Sequence, residues 1–179
     1  MSEVVHFGRT HTPALGDIWV AVHAGKLVAV VMGRSKKYLT GLVQKLITNA
    51  ELQPDPAIVA PFLTQFDEYF TQQRQQFDLP IAWHLLKPFQ ARTLRAVAAI
   101  PYGETRSYGA IAKIVGQPGA AQAVGVANAT NPMPIILPCH RVVGSDGQLH
   151  GYSAAGGLAS KAWLLQLEGV AIAQQLALF

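Results

Sequence analysis

The feature that most constrains the fold is a change of texture at Leu86-Lys87-Pro88. Upstream, three runs rich in β-branched and apolar residues, Val4 to Phe7, Ile18 to His23 and Lys26 to Met32, are punctuated by Gly16-Asp17 and Ala24-Gly25. They predict a small antiparallel sheet. Lys37 to Ala50 carries Leu39, Leu42, Val43, Leu46 and Ile47 at helical spacing. Pro54-Asp55-Pro56 is a breaker and cap. Ala57 to Gln73 then sets Ile58, Phe62, Phe66, Tyr69 and Phe70 on one stripe, which reads as core and not as a cofactor box. Pro61 is expected in the first turn of that helix, where proline is tolerated. Phe77 to Leu86 reads as another strand, with Pro80 at its edge or start.

Downstream, short helices alternate with Gly and Pro. Phe89 to Ile100 is one. Ser107 caps a second, Tyr108 to Val115. A turn at Gly116 to Gly119 leads to a third, Ala120 to Thr130. Two short helices about a tight turn predict a helix-turn-helix, although an ordinary helical hairpin has the same pattern and is commoner. Asp146-Gly147 between Val142-Val143 and Gln148-Leu149 signals a hairpin. Gly151 to Gly157 is a loop that closes on a ligand or a plain connector. Leu158 to Glu168 is a helix with Gly169 at its C′ position. The apolar tail, Val170 to Phe179, is expected to dock on the body. The change at residue 87 therefore divides the chain into an α/β domain over 1–86, a small antiparallel sheet plus helices, and a mostly α domain with a helix-turn-helix over 87–179.

Composition excludes several classes. Half of the residues are hydrophobic and 13% are charged, which argues against long disorder. No apolar run reaches the roughly 18 residues of a membrane span. Met1-Ser2-Glu3-Val4 does not open a secretory signal, so a cytoplasmic location is the expectation. A net charge of +4 is compatible with nucleic acid without requiring it. The single cysteine excludes an intrachain disulfide framework and a multi-cysteine zinc site. His6, His11, His23 and His84 have no ligand spacing, and no phosphate-cradling glycine motif is visible. The expectation is no metal and no cofactor.

That cysteine, Cys139, lies in Pro138-Cys139-His140-Arg141 after the apolar run Asn131-Pro132-Met133-Pro134-Ile135-Ile136-Leu137. A lone cysteine is ordinarily a small buried hydrophobe. Thiols react as thiolates, however, and adjacent positive charge or a hydrogen-bonded base favours that form. An imidazole and a guanidinium follow this one at once.

Five motifs occur in one order: Ile100-Pro101-Tyr102-Gly103-Glu104-Thr105-Arg106-Ser107-Tyr108-Gly109; Ala123-Val124-Gly125; Asn131-Pro132; Pro138-Cys139-His140-Arg141-Val142; and Trp163-Leu164-Leu165-Gln166-Leu167-Glu168-Gly169. From about Phe89 to Gly169 the chain resembles the O6-alkylguanine-DNA alkyltransferases, also called methylated-DNA–protein-cysteine methyltransferases. Upstream the likeness is only of general type. The resemblance implies a DNA-repair protein that acts once. Such a protein binds double-stranded DNA, flips an alkylated guanine out of the stack and moves the alkyl group irreversibly onto cysteine. O4-alkylthymine is a second candidate lesion. The resemblance further implies a monomer and an N-terminal domain that supports the site without contributing chemistry.

Carried over position by position, Cys139 is the nucleophile and His140 the base that takes its proton, through a water. Glu168 is the carboxylate that orients His140. Tyr108 helps rotate the nucleotide and protonates the leaving guanine. Asn131 braces the turn before the site, and Arg141 locks the local backbone. Pro134, Tyr152 and Ser153 line the pocket. Gln122, Ala123 and Gly125 lie on the helix that meets DNA. Three departures stand out. Gln122 replaces an arginine that fills the gap left by the flipped base, and no Lys or Arg occurs between Lys113 and Arg141. Ala154-Ala155 lengthens the pocket loop, which suggests a wider range of alkyl groups. Leu94 stands where relatives often carry tryptophan, a matter of core packing. Two other readings use the same residues. A lesion-binding module with weak or absent transfer is kept open by Gln122. A thiol hydrolase or oxidoreductase is disfavoured by the lack of a second cysteine in a Cys-x-x-Cys pair.

Overall fold

The computed structural model describes residues 2–172. Its contacts separate into two compact units divided between Leu86 and Lys87. In the first, β1 (Glu3–Thr12), β2 (Gly16–His23), β3 (Lys26–Met32) and β4 (Ala50–Pro54) form one sheet in the order β3-β2-β1-β4. The first three strands are antiparallel neighbours, and β4 adds to β1 in parallel. This fourth strand was not foreseen: Ala50-Glu51-Leu52-Gln53-Pro54 has no β-branched residue. Its place follows from pairing with β1 and from Asn49, whose φ of 60° turns the chain out of the preceding helix. Ala24 and Gly25, both at positive φ, make the two-residue turn between β2 and β3.

Helix α1 (Lys36–Leu46) covers one face of the sheet, where Val5, Phe7, Ala21, Ala29 and Val31 meet Leu39, Val43 and Ile47. Helix α2 (Pro56–Phe70) packs closely at Gly8. A Cβ there would stand 2.5 Å from Val59 Cγ2. With helices on both faces, β3 is buried at every residue from Leu27 to Met32. Asp55 caps α2 by accepting from the Ile58 amide at 3.0 Å. Pro61 lies in the second turn of α2 and not the first. The helix continues through it because that side is exposed and solvent satisfies the carbonyl proline leaves unpaired. The segment 77–86 is not a strand. It contributes one bridge, Ile81 to Leu27, and a 3-10 turn at Trp83–Leu85.

The second unit contains α3 (Pro88–Ala98), α4 (Tyr108–Ile114), α5 (Ala121–Ala129) and α6 (Gly157–Leu167). Ser107 Oγ accepts from the Ala110 amide at 3.1 Å and starts α4. Gly116 and Gly119, at φ 76° and 91°, make the turn to α5. Val97, Ile100, Ile111, Ala112, Val124 and Val142 form the core between these helices, and Leu94 is fully buried beside it. The 142–149 hairpin forms only its turn. Gly144 N donates to Gln148 O at 2.8 Å. Val142 and Val143, as β6, instead pair in parallel with Arg106 and Ser107, β5. Two valines gain more from joining the core than from a short exposed ribbon. Of the apolar tail, residues 173–179 lie outside the described residues.

Candidate active site

The approach to Cys139 is a tightly held turn. Asn131 Oδ1 accepts from the Met133 amide at 2.9 Å, and its Nδ2 donates to the Leu137 carbonyl at 2.7 Å. Between them Ile135 sits at φ 74°, although β-branched and buried. Such a conformation costs about 1–3 kcal/mol and persists only where neighbours over-determine it. The asparagine clamp and the surrounding prolines do so here. The chain then enters a 3-10 turn, Cys139–Arg141, with all three side chains buried.

Under this turn is a network of buried charge. His140 Nε2 donates to Glu168 Oε1 at 2.8 Å. Arg141 forks onto the same carboxylate, Nε to Oε2 at 2.8 Å and Nη2 to Oε1 at 2.9 Å, while Nη1 donates to the Ile100 carbonyl at 2.6 Å. Gly103 N adds a bond to Oε2 at 3.3 Å. Glu168 is the C-cap of α6, a place where a carboxylate opposes the helix dipole. The guanidinium and the imidazole offset that. Burial pushes the Glu168 carboxyl up, but the hydrogen bonds and charges of His140 and Arg141 outweigh it and hold it at about 2. Burial holds the His140 imidazole below its ordinary value against the pull of Glu168, so it is neutral at pH 7. With Nε2 donating, Nδ1 carries the lone pair, and it has no hydrogen-bond partner in the protein. That is the state a general base requires.

Cys139 is 5% exposed. Burial pushes its thiol up, opposed by a hydrogen bond from Asn131 and by the charge of Lys161. The thiol opens into a cleft of about 630 Å³ lined also by Tyr108, Gln122, Gly125, Tyr152 and Ser153. The structure therefore brings most of the expected residues together. His140 and Glu168 stand behind the thiol. Burial, followed by the proximity of Cys139, raises the Tyr108 phenol, which stays protonated and donates to the His150 carbonyl at 3.2 Å. Tyr152, raised further by burial, also keeps its proton.

Besides His140 and Glu168, three expected residues are not among those lining the cleft. Pro134 is buried within the turn, Asn131 braces it, and Ala123 is exposed on α5. Ala154 and Ala155 do not reach the cleft either. Their carbonyls accept from Gly157 N at 3.1 Å and Ser160 Oγ at 2.7 Å, so the inserted pair shapes the start of α6. Conversely, Asn128, Val126 and His150 line the cleft unannounced. Lys161, fully buried, was also missed. Its signal was its position: it stands three and four residues before Leu164 and Leu165, on a face where an apolar residue was due.

Residues 88–170 match the family described as 6-O-methylguanine DNA methyltransferase, DNA binding domain, and residues 5–83 match its ribonuclease-like domain. The chain belongs to the 6-O-methylguanine DNA methyltransferase family. It is 48% identical over 126 residues, 70% of this chain and 74% of the relative, to the methylated-DNA–protein-cysteine methyltransferase of Mycobacterium leprae. It is 42% identical over 127 residues, 71% and 75% of the two chains, to the constitutive enzyme of that name from Bacillus subtilis. Among solved structures, Mycobacterium tuberculosis OGT in complex with DNA superposes with a TM-score of 0.76 at 38% identity, over 91% of this chain and 92% of that one. Among the described residues no helix is long and apolar enough to cross a membrane.

Proposed function

We propose that the chain takes an alkyl group from O6-alkylguanine in duplex DNA onto Cys139 Sγ, once and irreversibly, after the base is flipped into the cleft. Repair of alkylated DNA by transfer to a cysteine is the activity of its family. The observation that carries the assignment of roles is the His140–Glu168 bond at 2.8 Å beside a buried thiol. His140 Nδ1 takes the thiol proton, through a water. Sγ attacks the alkyl carbon, the carbon–O6 bond breaks, and its electron pair leaves with guanine. Tyr108 gives a proton to the departing base and recovers one from His140, so the net movement is one proton from thiol to guanine. Arg141 fixes the orienting carboxylate.

Several features support the finer points. The cleft, the thiol and its partners all fall within residues 87–172 of one chain, which favours action as a monomer. A free thiol as acceptor favours a reducing, cytoplasmic setting. A thiol with a neutral base at hand argues against a lesion binder without chemistry. Intact-mass measurement after mixing with an O6-methylguanine duplex tests the reading. A single methyl on Cys139 is expected, and Cys139→Ala is expected to bind the duplex and gain nothing. Binding without an adduct on the wild type would overturn it.

A further inference from the structure

A nucleotide turned out of the duplex brings its flanking phosphates to the rim of the cleft that takes its base. Phosphates are ordinarily met by Lys and Arg. Among the described residues that line this cleft none is Lys or Arg, and His150 is the one whose side chain can carry positive charge. That side chain is 58% exposed, at the mouth, and the transfer itself makes no use of its imidazole. The ring is nonetheless seated. Nε2 lies 3.4 Å from Asp146 Oδ1, an oxygen that also accepts from the Gln148 amide at 3.0 Å. Gly144 makes the room, since a Cβ there would stand 2.5 Å from His150 Cδ2 and would strike Asp146 Oδ1 as well. The His150 carbonyl is fixed from the other side by the Tyr108 hydroxyl at 3.2 Å and by Lys161 Nζ at 3.0 Å. With Nε2 turned to Asp146, Nδ1 is left for an incoming acceptor.

Imidazoles change charge between about pH 5 and 8. The groups that face this one divide. The Gln148 amide, followed by the imidazole, holds the Asp146 carboxyl below its ordinary value, so Asp146 is an anion throughout that range and favours the imidazolium. Lys161 on α6, bonded to the His150 carbonyl, opposes it. Tyr108 on α4 and Tyr152 in the pocket loop are raised by burial, keep their protons and add no charge. Burial keeps Cys139 a thiol at rest, and α5 across the cleft is neutral. A phosphate arriving at Nδ1 is therefore a second anion for a ring already oriented by the first. A charged donor binds phosphate about twice as strongly as a neutral one, so the duplex and a proton favour each other at this position.

We propose that His150 is a phosphate-binding residue at the mouth of the cleft: its imidazolium donates from Nδ1 to a phosphodiester beside the flipped nucleotide, and binding of the lesion duplex takes up a proton. This rests on the reading of the cleft as the receiver of a flipped base. Cys139→Ala cannot be alkylated, so it allows the affinity for an O6-methylguanine duplex to be measured at equilibrium. Its Kd is expected to fall by about tenfold between pH 8 and pH 5.5. Its salt dependence is expected to be steeper by about one counterion at the lower pH. Adding His150→Gln keeps a polar side chain and removes the charge, and is expected to abolish the greater part of both changes. A folded double variant with the pH and salt dependence of Cys139→Ala would overturn the proposal. Should it not fold, Cys139→Ala decides alone. The pH at which its His150 ring-proton NMR signals change is expected to rise when the duplex is added, and an unmoved profile would overturn the proposal. Absence of any adduct from alkylguanine DNA on the wild type would instead break the functional reading and leave the pH dependence of binding intact.

Discussion

Two regions of the second unit differ in electrical character. Around Cys139, a carboxylate, a guanidinium, an ammonium and an imidazole are packed out of solvent within one short turn and one helix with its C-cap. Across the cleft, α5 carries no charged residue from Ala121 to Ala129, and its exposed side presents Gln122, Ala123 and Val126. Buried charge is expensive and brings geometry in return. Surface charge is cheap and brings attraction to phosphate. This chain has the first in full and, on α5, none of the second. Its charged groups are accordingly built into the fold, while the exposed side of α5 offers shape and neutral hydrogen bonds alone.

The largest effect that tests this contrast is expected from Glu168→Gln. It strands Arg141 and leaves His140 without its orienter. A loss of about 3–5 kcal/mol of unfolding free energy is the usual result of breaking a buried pair. Chemical denaturation measures it, and a change below about 1 kcal/mol would mean that the network is not the structural centre described.

A somewhat smaller effect is expected from acid. The folded state holds Glu168 at about 2, against an ordinary value of 4.5. Its contribution is complete above pH 4.5 and is lost as pH falls toward 2; its ceiling is about 3 kcal/mol. His140 acts in the same direction. Its folded imidazole refuses a proton that the unfolded chain takes up below pH 6.5, so stability declines as pH falls through that value. Thermal melts between pH 7 and 3 are expected to show Tm falling in two stages, and a flat profile would contradict both assignments.

The smallest effect belongs to the other side of the comparison. Gln122→Arg places one cation on α5. It is expected to tighten duplex binding by about tenfold at low salt, to speed repair and to steepen the salt dependence by about one counterion. Unchanged affinity and rate would show that α5 has no deficit to correct.

What the sequence revealed follows the same division. The reactive cluster was legible because its residues come in dense, ordered motifs, from Tyr108 through Cys139 to Glu168. The clamp of Asn131 on the turn was legible too. Arg141's fork onto Glu168 was not, since nothing in a linear pattern says which side chains meet across residues 141 and 168. Lys161 was hidden because a lysine on a helix is read as solvated unless its neighbours are checked for burial. In the first unit, β4 was invisible to propensity, because pairing with β1 and not the composition of Ala50–Pro54 makes it a strand. The valines at 142 and 143 read as half of a ribbon, yet a core already containing Ile100 and Val124 recruited Val142.

Arg141 joins the carbonyl of residue 100 to the carboxylate of residue 168, with its own backbone beside the thiol. During synthesis these parts emerge in that order, and the thiol leaves the ribosome about 30 residues before the carboxylate that must set its imidazole, a delay of about two to six seconds at ordinary elongation rates. In that interval the nucleophile is unactivated. The base and its orienter therefore come together in one step, when α6 docks and brings Glu168 to His140.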